Sequence, residues 1–140
     1  MSTSTLFLDF DGVLHSMSGY RDQPFCRLPL LEEVLFNADV DIVISSSWRF
    51  QYSLDELKDK LGQLGSKVVG ATGEAHVGPN PRFNEIFKYA ETHQISNWRA
   101  LDDASYEFPD TEMRVFVCNP NVGVEDLQLM QLAQWIRHSA

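Results

Sequence analysis

The stretch Thr5-Leu6-Phe7-Leu8-Asp9-Phe10-Asp11-Gly12-Val13-Leu14 decides the fold that we predict for this chain. Its first four residues are apolar or β-branched, which is typical of a strand that is buried on both faces. Two carboxylates follow directly, and a glycine then allows the backbone to turn. Because ligands bind beyond the carboxyl ends of the strands in an open parallel sheet, we expect the chemistry at Asp9 and Asp11.

Two carboxylates this close repel each other unless a cation or a shared proton lies between them. Mg²⁺ binds oxygen ligands, usually one or two carboxylates together with water and phosphate oxygens. A structural calcium loop is the alternative for an Asp-x-Asp-Gly pattern. That loop requires a glutamate at its twelfth position, where this chain has Ser18. The pattern therefore favours a magnesium site.

The composition is that of an ordinary soluble protein, because 44% of the 140 residues are hydrophobic and 22% are charged. The length indicates one domain over residues 1–140. No apolar run is long enough for a membrane span and no secretory signal is recognisable, so we expect a cytoplasmic protein without a membrane partner. The net charge of −9 disfavours nonspecific nucleic-acid binding, but it is compatible with a local basic pocket.

Strands and helices alternate along the chain. We predict strands at residues 5–8, 41–45, 67–70, 98–101 and 113–117, and helices at 29–36, 53–61, 82–92 and 124–137. The helix at 53–61 begins with a capping box formed by Ser53 and Glu56. Residues 15–27 and 71–81 are predicted loops, and we expect the first of them to lie over the site. This alternation predicts an α/β fold with a mainly parallel sheet covered by helices on both faces.

Polar side chains follow three of these predicted strands. Asp9 and Asp11 end the first, Ser45 ends the second, and Asp102 and Asp103 end the strand at 98–101. The carboxyl ends of parallel strands lie at the same edge of a sheet. We therefore expect these residues to converge on one site.

Three segments resemble motifs I, II and IV of the haloacid dehalogenase (HAD) superfamily: Asp9-Phe10-Asp11-Gly12-Val13-Leu14, Ile42-Val43-Ile44-Ser45 and Leu101-Asp102-Asp103. The continuation of motif I to His15, the Ser-Ser-Ser-Trp-Arg run at 45–49 and the Gly123-Val124-Glu125 turn are similar to the small HAD domains associated with RNA-repair and polynucleotide phosphatase proteins. The resemblance implies a three-layer, Rossmann-like HAD core. The short segment between motifs I and II leaves no room for a large cap domain.

The resemblance also implies roles for the converging residues. Asp9 would be the nucleophile that forms an aspartyl-phosphate, and Asp11 would be the general acid and base. Mg²⁺ would be held by Asp9, by the backbone carbonyl of Asp11 and by Asp102, with Asp103 as a further ligand or an orienting group. Ser45 would donate a hydrogen bond to the phosphoryl oxygens, helped by backbone N–H groups at the start of the following helix.

Motif III of the superfamily supplies a cation, and its position is open in this sequence. Arg82, at the start of the helix before the Asp102 strand, is our first candidate for this catalytic role. Lys88 on the same helix is the second and Lys67 the third. Arg82 has a structural alternative, since it is three residues before Glu85 on its helix and the two side chains can pair there.

Further candidates lie just after motif II and motif I. We assign Ser46, Arg49 and Lys88 to substrate binding, with a surface ion pair as the alternative for Arg49 and a solvated helix face as that for Lys88. Trp48 is interpreted as a packing residue rather than a platform for a base. His15 is either a residue at the entrance of the site or a solvated loop histidine.

These residues together predict a Mg²⁺-dependent phosphatase that acts on a phosphomonoester, with a nucleotide or a polynucleotide end as the preferred substrate class. A HAD-like binding or regulatory module without turnover is the alternative. A dehalogenase or phosphonatase is a third possibility, but a dehalogenase does not need the second acid at Asp11. The oligomeric state is not predictable from these patterns.

Overall fold

The computed structural model of this protein describes residues 4–17 and 23–139. Five parallel strands form one sheet in the order β3-β2-β1-β4-β5. Their bounds are β1 Thr5–Leu8, β2 Asp41–Ile44, β3 Val68–Ala71, β4 Trp98–Asp102 and β5 Val115–Val117. The predicted parallel α/β fold is therefore confirmed.

Helices connect the strands along the described residues. Their bounds are α1 Leu28–Leu35, α2 Leu54–Lys60, α3 Pro81–Thr92 and α4 Asp126–Ser139, with short 3₁₀ helices at Ser47–Phe50, Gly62–Lys67 and Ser105–Glu107. Each predicted helix is present within two residues of its expected ends. No further domain is inserted between the described elements, in keeping with a HAD-like core without a cap.

The side chains of β1 alternate between the two faces of the sheet. Leu6 and Leu8 pack in a core cluster with side chains of α1, α2 and α4, whereas Phe7 packs in a second cluster with Ile86 of α3. All four side chains are fully buried. The sheet therefore lies between two helical layers, and burial on both faces explains why β1 is apolar throughout.

Two local predictions differ from the structure or lie outside it. The last strand is shorter than predicted, because Arg114 is held in a turn by hydrogen bonds from its backbone N–H and its guanidinium to the Glu112 carboxylate. The predicted loop at 15–27 includes residues 18–22, which are outside the described residues. Within the ranges given above, no helix is both long and apolar enough to cross a membrane.

The register of the three central strands sets the position of the site. In this register, Leu8 of β1 pairs with Ile44 of β2 on one side and with Leu101 of β4 on the other. The residues that follow this row at the carboxyl edge are Asp9, Ser45 and Asp102. The predicted convergence of the three strand ends follows directly from the strand order.

Helix α2 begins with the predicted capping box. The Glu56 N–H donates to the Ser53 hydroxyl at 3.2 Å, and the Ser53 N–H donates to the Glu56 carboxylate at 2.9 Å. Hydrogen bonds from the backbone and hydroxyl of Ser53 lower the pKa of Glu56. Because the carboxylate is the favoured form, this contribution is present at neutral pH and is lost as the pH falls through the lowered pKa.

We expect Ser53→Ala to lower the free energy of unfolding by about 1 kcal/mol at pH 7, because the first turn of α2 loses its cap. Urea denaturation measures this loss. Ser53→Asp is the matched control, since an aspartate accepts the same hydrogen bond and should keep most of the stability. Equal stability of the alanine variant and the original protein would contradict the prediction.

Candidate active site

Three carboxylates meet at the carboxyl edge of the sheet. Asp9 follows β1, Asp102 ends β4 and Asp103 comes directly after it; one oxygen from each lies within 4.8 Å of the others. Asp9 is 5% exposed and Asp102 is 1% exposed. The predicted meeting of motifs I and IV is therefore present in the structure.

Arg82 is the cation that contacts this cluster. It lies in the first turn of α3, where its Nη1 is 2.7 Å from Asp102 Oδ2 and 3.3 Å from Asp9 Oδ1. Burial acts to lower the pKa of Arg82, but the charges of Asp102 and Asp9 outweigh it and raise the pKa above its usual value. The contact with Glu85, at 3.9 Å, is longer, so pairing within the helix is the lesser interaction.

Negative charge exceeds positive charge in the cluster. Burial and the neighbouring Asp102 raise the pKa of Asp9 well above its usual value, although Arg82 opposes them. Burial also raises the pKa of Asp102 to about 6, again against the effect of Arg82. One guanidinium faces three carboxylates, and buried carboxylates are stabilised by a cation. The oxygen donors and the uncompensated charge fit a hard divalent ion such as Mg²⁺.

Two buried hydroxyls lie at the same edge of the sheet as this cluster. Ser45 follows β2 and is fully buried, and Thr72 follows β3 and is 5% exposed. The Thr72 N–H donates to the carbonyl of Ile44 at 2.9 Å, so Thr72 is beside Ser45 in the sheet. Neither side-chain oxygen has a hydrogen-bond partner among the described residues. Because buried hydroxyls are nearly always paired, these two are available to a ligand oxygen.

The Asp11 carboxylate lies outside the cluster of three acids. Its two oxygens accept hydrogen bonds from His15 Nε2 at 2.8 Å and from Trp48 Nε1 at 3.1 Å. Its side chain is 38% exposed. A metal contact predicted for the backbone carbonyl of Asp11 stays a prediction, and the side chain does not join Asp9, Asp102 and Asp103.

A family model described as the HAD domain in Swiss Army Knife RNA repair proteins matches residues 5–129. The chain belongs to this family. The match spans all five strands and the whole cluster of acids, which confirms the resemblance to RNA-repair HAD domains. Neither the curated proteins nor the solved structures contain a significant match.

Arg49, which follows motif II of this HAD domain, contacts other residues of the protein through its side chain. The Arg49 side chain is 4% exposed and pairs with Glu85 at 2.7 Å. Its other nitrogens donate to the carbonyl oxygens of Ser45, Ser46 and Gly73. The ion pair considered for Arg49 is therefore present, but it is buried and not at the surface. Its role in substrate binding stays a prediction, although its described partners all belong to the protein.

Ser46 also has a local partner. Its hydroxyl accepts a hydrogen bond from the Trp48 N–H at 3.2 Å and caps the 3₁₀ helix Ser47–Phe50. A short 3₁₀ helix therefore lies between motif II and the predicted helix α2. The assignment of Ser46 to substrate binding is untested.

The two lysines considered for motif III differ from Arg82 in position. Lys88 is exposed on α3 and lines a groove of about 160 Å³ with Glu85 and Tyr89. Lys67 lies just before β3, and its Nζ donates to the carbonyl of Ala38 at 2.7 Å, at the amino edge of the sheet. Lys67 is therefore wrong as a motif III residue, since parallel strands place the site at the opposite edge. Lys88 stays a prediction for substrate binding.

Three residues at the site were missed or undervalued by the sequence reasoning. Glu85 is buried and joins Arg49 to Arg82, and Thr72 is the second unpaired hydroxyl. His15 is buried rather than solvated. The spacing of Glu85 one turn after Arg82 could have indicated that the two side chains meet. The position of Thr72 at the end of a strand could have indicated that it lies at the carboxyl edge. The burial of His15 depends on residues distant from motif I and had no such signal.

Gly12 makes room for Asp103. It has a φ of +77°, and a Cβ at this position would overlap the Asp103 carboxylate. We expect Gly12→Ala to displace Asp103 and to weaken Mg²⁺ binding roughly 10- to 100-fold, as loss of a group that orients a metal site does. Isothermal titration with MgCl₂ measures the change. Gly73→Ala is the control, because no atom lies within 4 Å of its added Cβ; equal affinities for both variants would contradict the prediction.

Proposed function

We propose that this HAD domain is a Mg²⁺-dependent phosphomonoester hydrolase that acts through an aspartyl-phosphate at Asp9. The observation that carries the proposal is the cluster of Asp9, Asp102 and Asp103, in which the buried Asp9 and Asp102 carboxylates contact the Arg82 guanidinium. Membership of a HAD family supports a phosphatase-type hydrolase in general. The specific reaction is our inference from the chemistry of these side chains.

In the proposed reaction, an oxygen of Asp9 attacks the phosphorus in line with the leaving oxygen. As the bond from phosphorus to the leaving oxygen breaks, the Asp11 carboxyl gives its proton to that oxygen. The resulting Asp11 carboxylate then takes a proton from a water molecule, which attacks the phosphorus and releases Asp9. Arg82, Ser45 and Thr72 stabilise the charge on the phosphoryl oxygens.

The metal ion would be held by Asp9, Asp102 and Asp103. When bound, Mg²⁺ supplies charge neutralisation, so the anionic nucleophile can approach an anionic phosphate. The Asp102 carboxylate is already oriented for this role, because its Oδ1 accepts a hydrogen bond from the Ala104 N–H at 2.9 Å and its Oδ2 accepts one from Arg82. Fixed ligands of this kind bind a metal with little further ordering.

A second acid in a different environment favours phosphoryl transfer over dehalogenation. Asp11 lies outside the cluster and reaches solvent, whereas Asp9 is buried beside Arg82. A leaving alkoxide needs a proton, but a leaving halide does not. The separation of the two acids gives them the different tasks of nucleophile and proton donor.

We propose a phosphate at a nucleotide or polynucleotide end as the substrate. The family description names RNA repair proteins, and no domain is inserted over the described part of the carboxyl edge. An uncovered site suits a phosphate on a large molecule. The chain's net charge of −9 does not attract polyanions, so Arg82 and the metal must supply the local attraction.

Hydrolysis of p-nitrophenyl phosphate with MgCl₂, and its absence with EDTA, tests the reaction. Oligonucleotides with a 3′- or a 5′-phosphate, free nucleotides and sugar phosphates then test the substrate class. A domain that binds Mg²⁺ but hydrolyses none of these esters would be the regulatory module instead. Activity on sugar phosphates alone would retain the reaction and reject the nucleic-acid substrate.

Ser45→Ala and Thr72→Val are expected to lower kcat while stabilising the ligand-free protein. Loss of a hydroxyl that stabilises the phosphoryl oxygens costs roughly 10²-fold in kcat. Removing a buried hydroxyl without a partner instead raises the free energy of unfolding, by about 1 kcal/mol. Steady-state kinetics and urea denaturation measure the two effects. Ser46→Ala is the control that should lose stability, since the Ser46 hydroxyl has a partner.

A further inference from the structure

The Asp11 carboxylate is held by side chains from two loops. His15 Nε2 lies 2.8 Å from Asp11 Oδ1, and Trp48 Nε1 donates to Asp11 Oδ2 at 3.1 Å. His15 follows β1, whereas Trp48 lies in the 3₁₀ helix after β2. Each carboxylate oxygen thus accepts one hydrogen bond, and each retains one acceptor position.

The backbone N–H of Phe25, which like His15 lies between β1 and α1, fixes which nitrogen of His15 carries the hydrogen. The Phe25 N–H donates to His15 Nδ1 at 3.1 Å, so Nδ1 must present its lone pair. The hydrogen of the neutral ring therefore lies on Nε2 and points at Asp11. Phe25 adopts a left-handed backbone conformation with a φ of 60°. A non-glycine residue in this conformation is strained and needs support from its surroundings.

Aromatic rings supply that support and enclose one side of Asp11. The Phe25 ring packs 5.4 Å from His15 and 5.3 Å from Trp48, measured between centroids. Phe10, which is fully buried, contacts both Phe25 and Trp48. The His15 side chain is only 7% exposed, but that of Asp11 is 38% exposed. The two donors are therefore fixed by packing, and the acid they hold still reaches solvent.

We infer that His15 and Trp48 are positioning residues that aim the Asp11 carboxyl at the leaving oxygen. This inference rests on the proposed function. The proton passes from Asp11 to the leaving oxygen as the bond from that oxygen to phosphorus breaks. The carboxylate that remains keeps both hydrogen bonds, from His15 Nε2 and Trp48 Nε1, and so stays in place for the attacking water.

Two substrates that differ in their leaving group separate this role from a structural one. p-Nitrophenolate leaves without a proton, whereas the alkoxide of glycerol 2-phosphate needs one. We expect His15→Ala and Trp48→Phe to lower kcat/KM for glycerol 2-phosphate roughly 10- to 100-fold, since a displaced general acid loses this much. For p-nitrophenyl phosphate the loss should stay below about threefold, because protonation contributes little to that step.

Two further variants test whether His15 acts through Asp11. His15→Gln places an amide N–H near the position of Nε2 and should restore most of the activity on glycerol 2-phosphate. In an Asp11→Asn background, His15→Ala should cause no further loss. Equal losses on both substrates, or losses that multiply in the double variant, would overturn the inference and leave the proposed phosphatase standing.

Nitrogen-15 spectra of the unmodified protein provide a readout that does not need activity. With four histidines in the chain, the His15 signals can be assigned by comparison with His15→Gln. We expect the Nε2–H form, and an Nδ1–H form would overturn the inference even if His15→Ala does not fold. If the unmodified protein hydrolyses neither ester, the proposed function fails and this role of His15 and Trp48 fails with it.

Discussion

Asp9→Asn is expected to abolish phosphatase activity and to stabilise the metal-free protein. Loss of the nucleophile should lower kcat by at least about a thousandfold. The Asp9 carboxylate is 5% exposed, and burial and Asp102 raise its pKa, so its charge opposes folding near neutral pH. Replacing the charge by an amide should raise the free energy of unfolding by about 1 kcal/mol, or the melting temperature by roughly 2 to 4 °C.

Addition of Mg²⁺ should reverse this order of stability. The original protein should bind the ion through three carboxylates and gain stability by mass action, whereas Asp9→Asn would retain two of them and gain less. Thermal melts with EDTA and with MgCl₂ measure both orders. Asp59→Asn on α2 removes the same charge from an exposed position and should melt like the original protein in both buffers. A metal-free Asp9→Asn protein that melts below the original would contradict the prediction.

Arg82→Ala is expected to be the most destabilising change at the site. The Arg82 side chain is 12% exposed and contacts both Asp102 and Asp9. Removing one partner of a buried ion pair leaves charges without compensation and costs about 3 to 5 kcal/mol. Loss of its charge from the phosphoryl site should also lower kcat roughly 10²- to 10³-fold. Urea denaturation and kinetics with p-nitrophenyl phosphate measure the two effects.

Because of the same cluster, we expect Mg²⁺ to restore part of the stability that Arg82→Ala loses. Mg²⁺ and the guanidinium compensate the same carboxylates, so MgCl₂ should recover more stability in this variant than in the original protein. Arg82→Lys keeps the charge but not the forked donor group, and should retain more stability than alanine. Arg137→Ala removes an exposed charge from α4 and serves as the control. If Arg82→Ala lowers the free energy of unfolding by less than about 1 kcal/mol, the prediction that the buried ion pair stabilises the site is contradicted.

The parts of the site that follow from strand order could be predicted from the sequence. Asp9, Ser45 and Asp102 each end an apolar segment, and parallel pairing brings such ends together whatever the detailed packing. The capping box at Ser53 could also be predicted, because it depends only on two residues that are close in the sequence. The position of Arg82 near the acids could also be predicted, because Arg82 lies in the first turn of the helix that precedes β4.

The parts that depend on side-chain direction could not be predicted. Arg49 turns inward to meet Glu85, which is 36 residues away in the chain, and no local pattern indicates such a contact. His15 is buried because Phe25, from the same connection between β1 and α1, and Trp48, from the 3₁₀ helix after β2, pack against it. Long-range packing, rather than residue type, decides both of these positions. Lys67 differs, because strand direction alone places a residue before a parallel strand at the amino edge of the sheet.

Among residues 4–17 and 23–139, no domain covers the carboxyl edge, so the substrate itself would have to exclude water from the reaction centre. Enzymes of this chemistry gain rate when water is expelled around the reacting phosphorus. Among the described residues, the loops after β1 to β4 frame the acids, and no inserted domain closes over them. In the proposed reaction, a phosphate on a small alcohol would therefore react in contact with water, whereas a folded RNA strand would itself exclude water from the phosphorus. Bulk around the phosphate should consequently increase kcat as well as affinity, so substrates would be distinguished during turnover and not at binding alone.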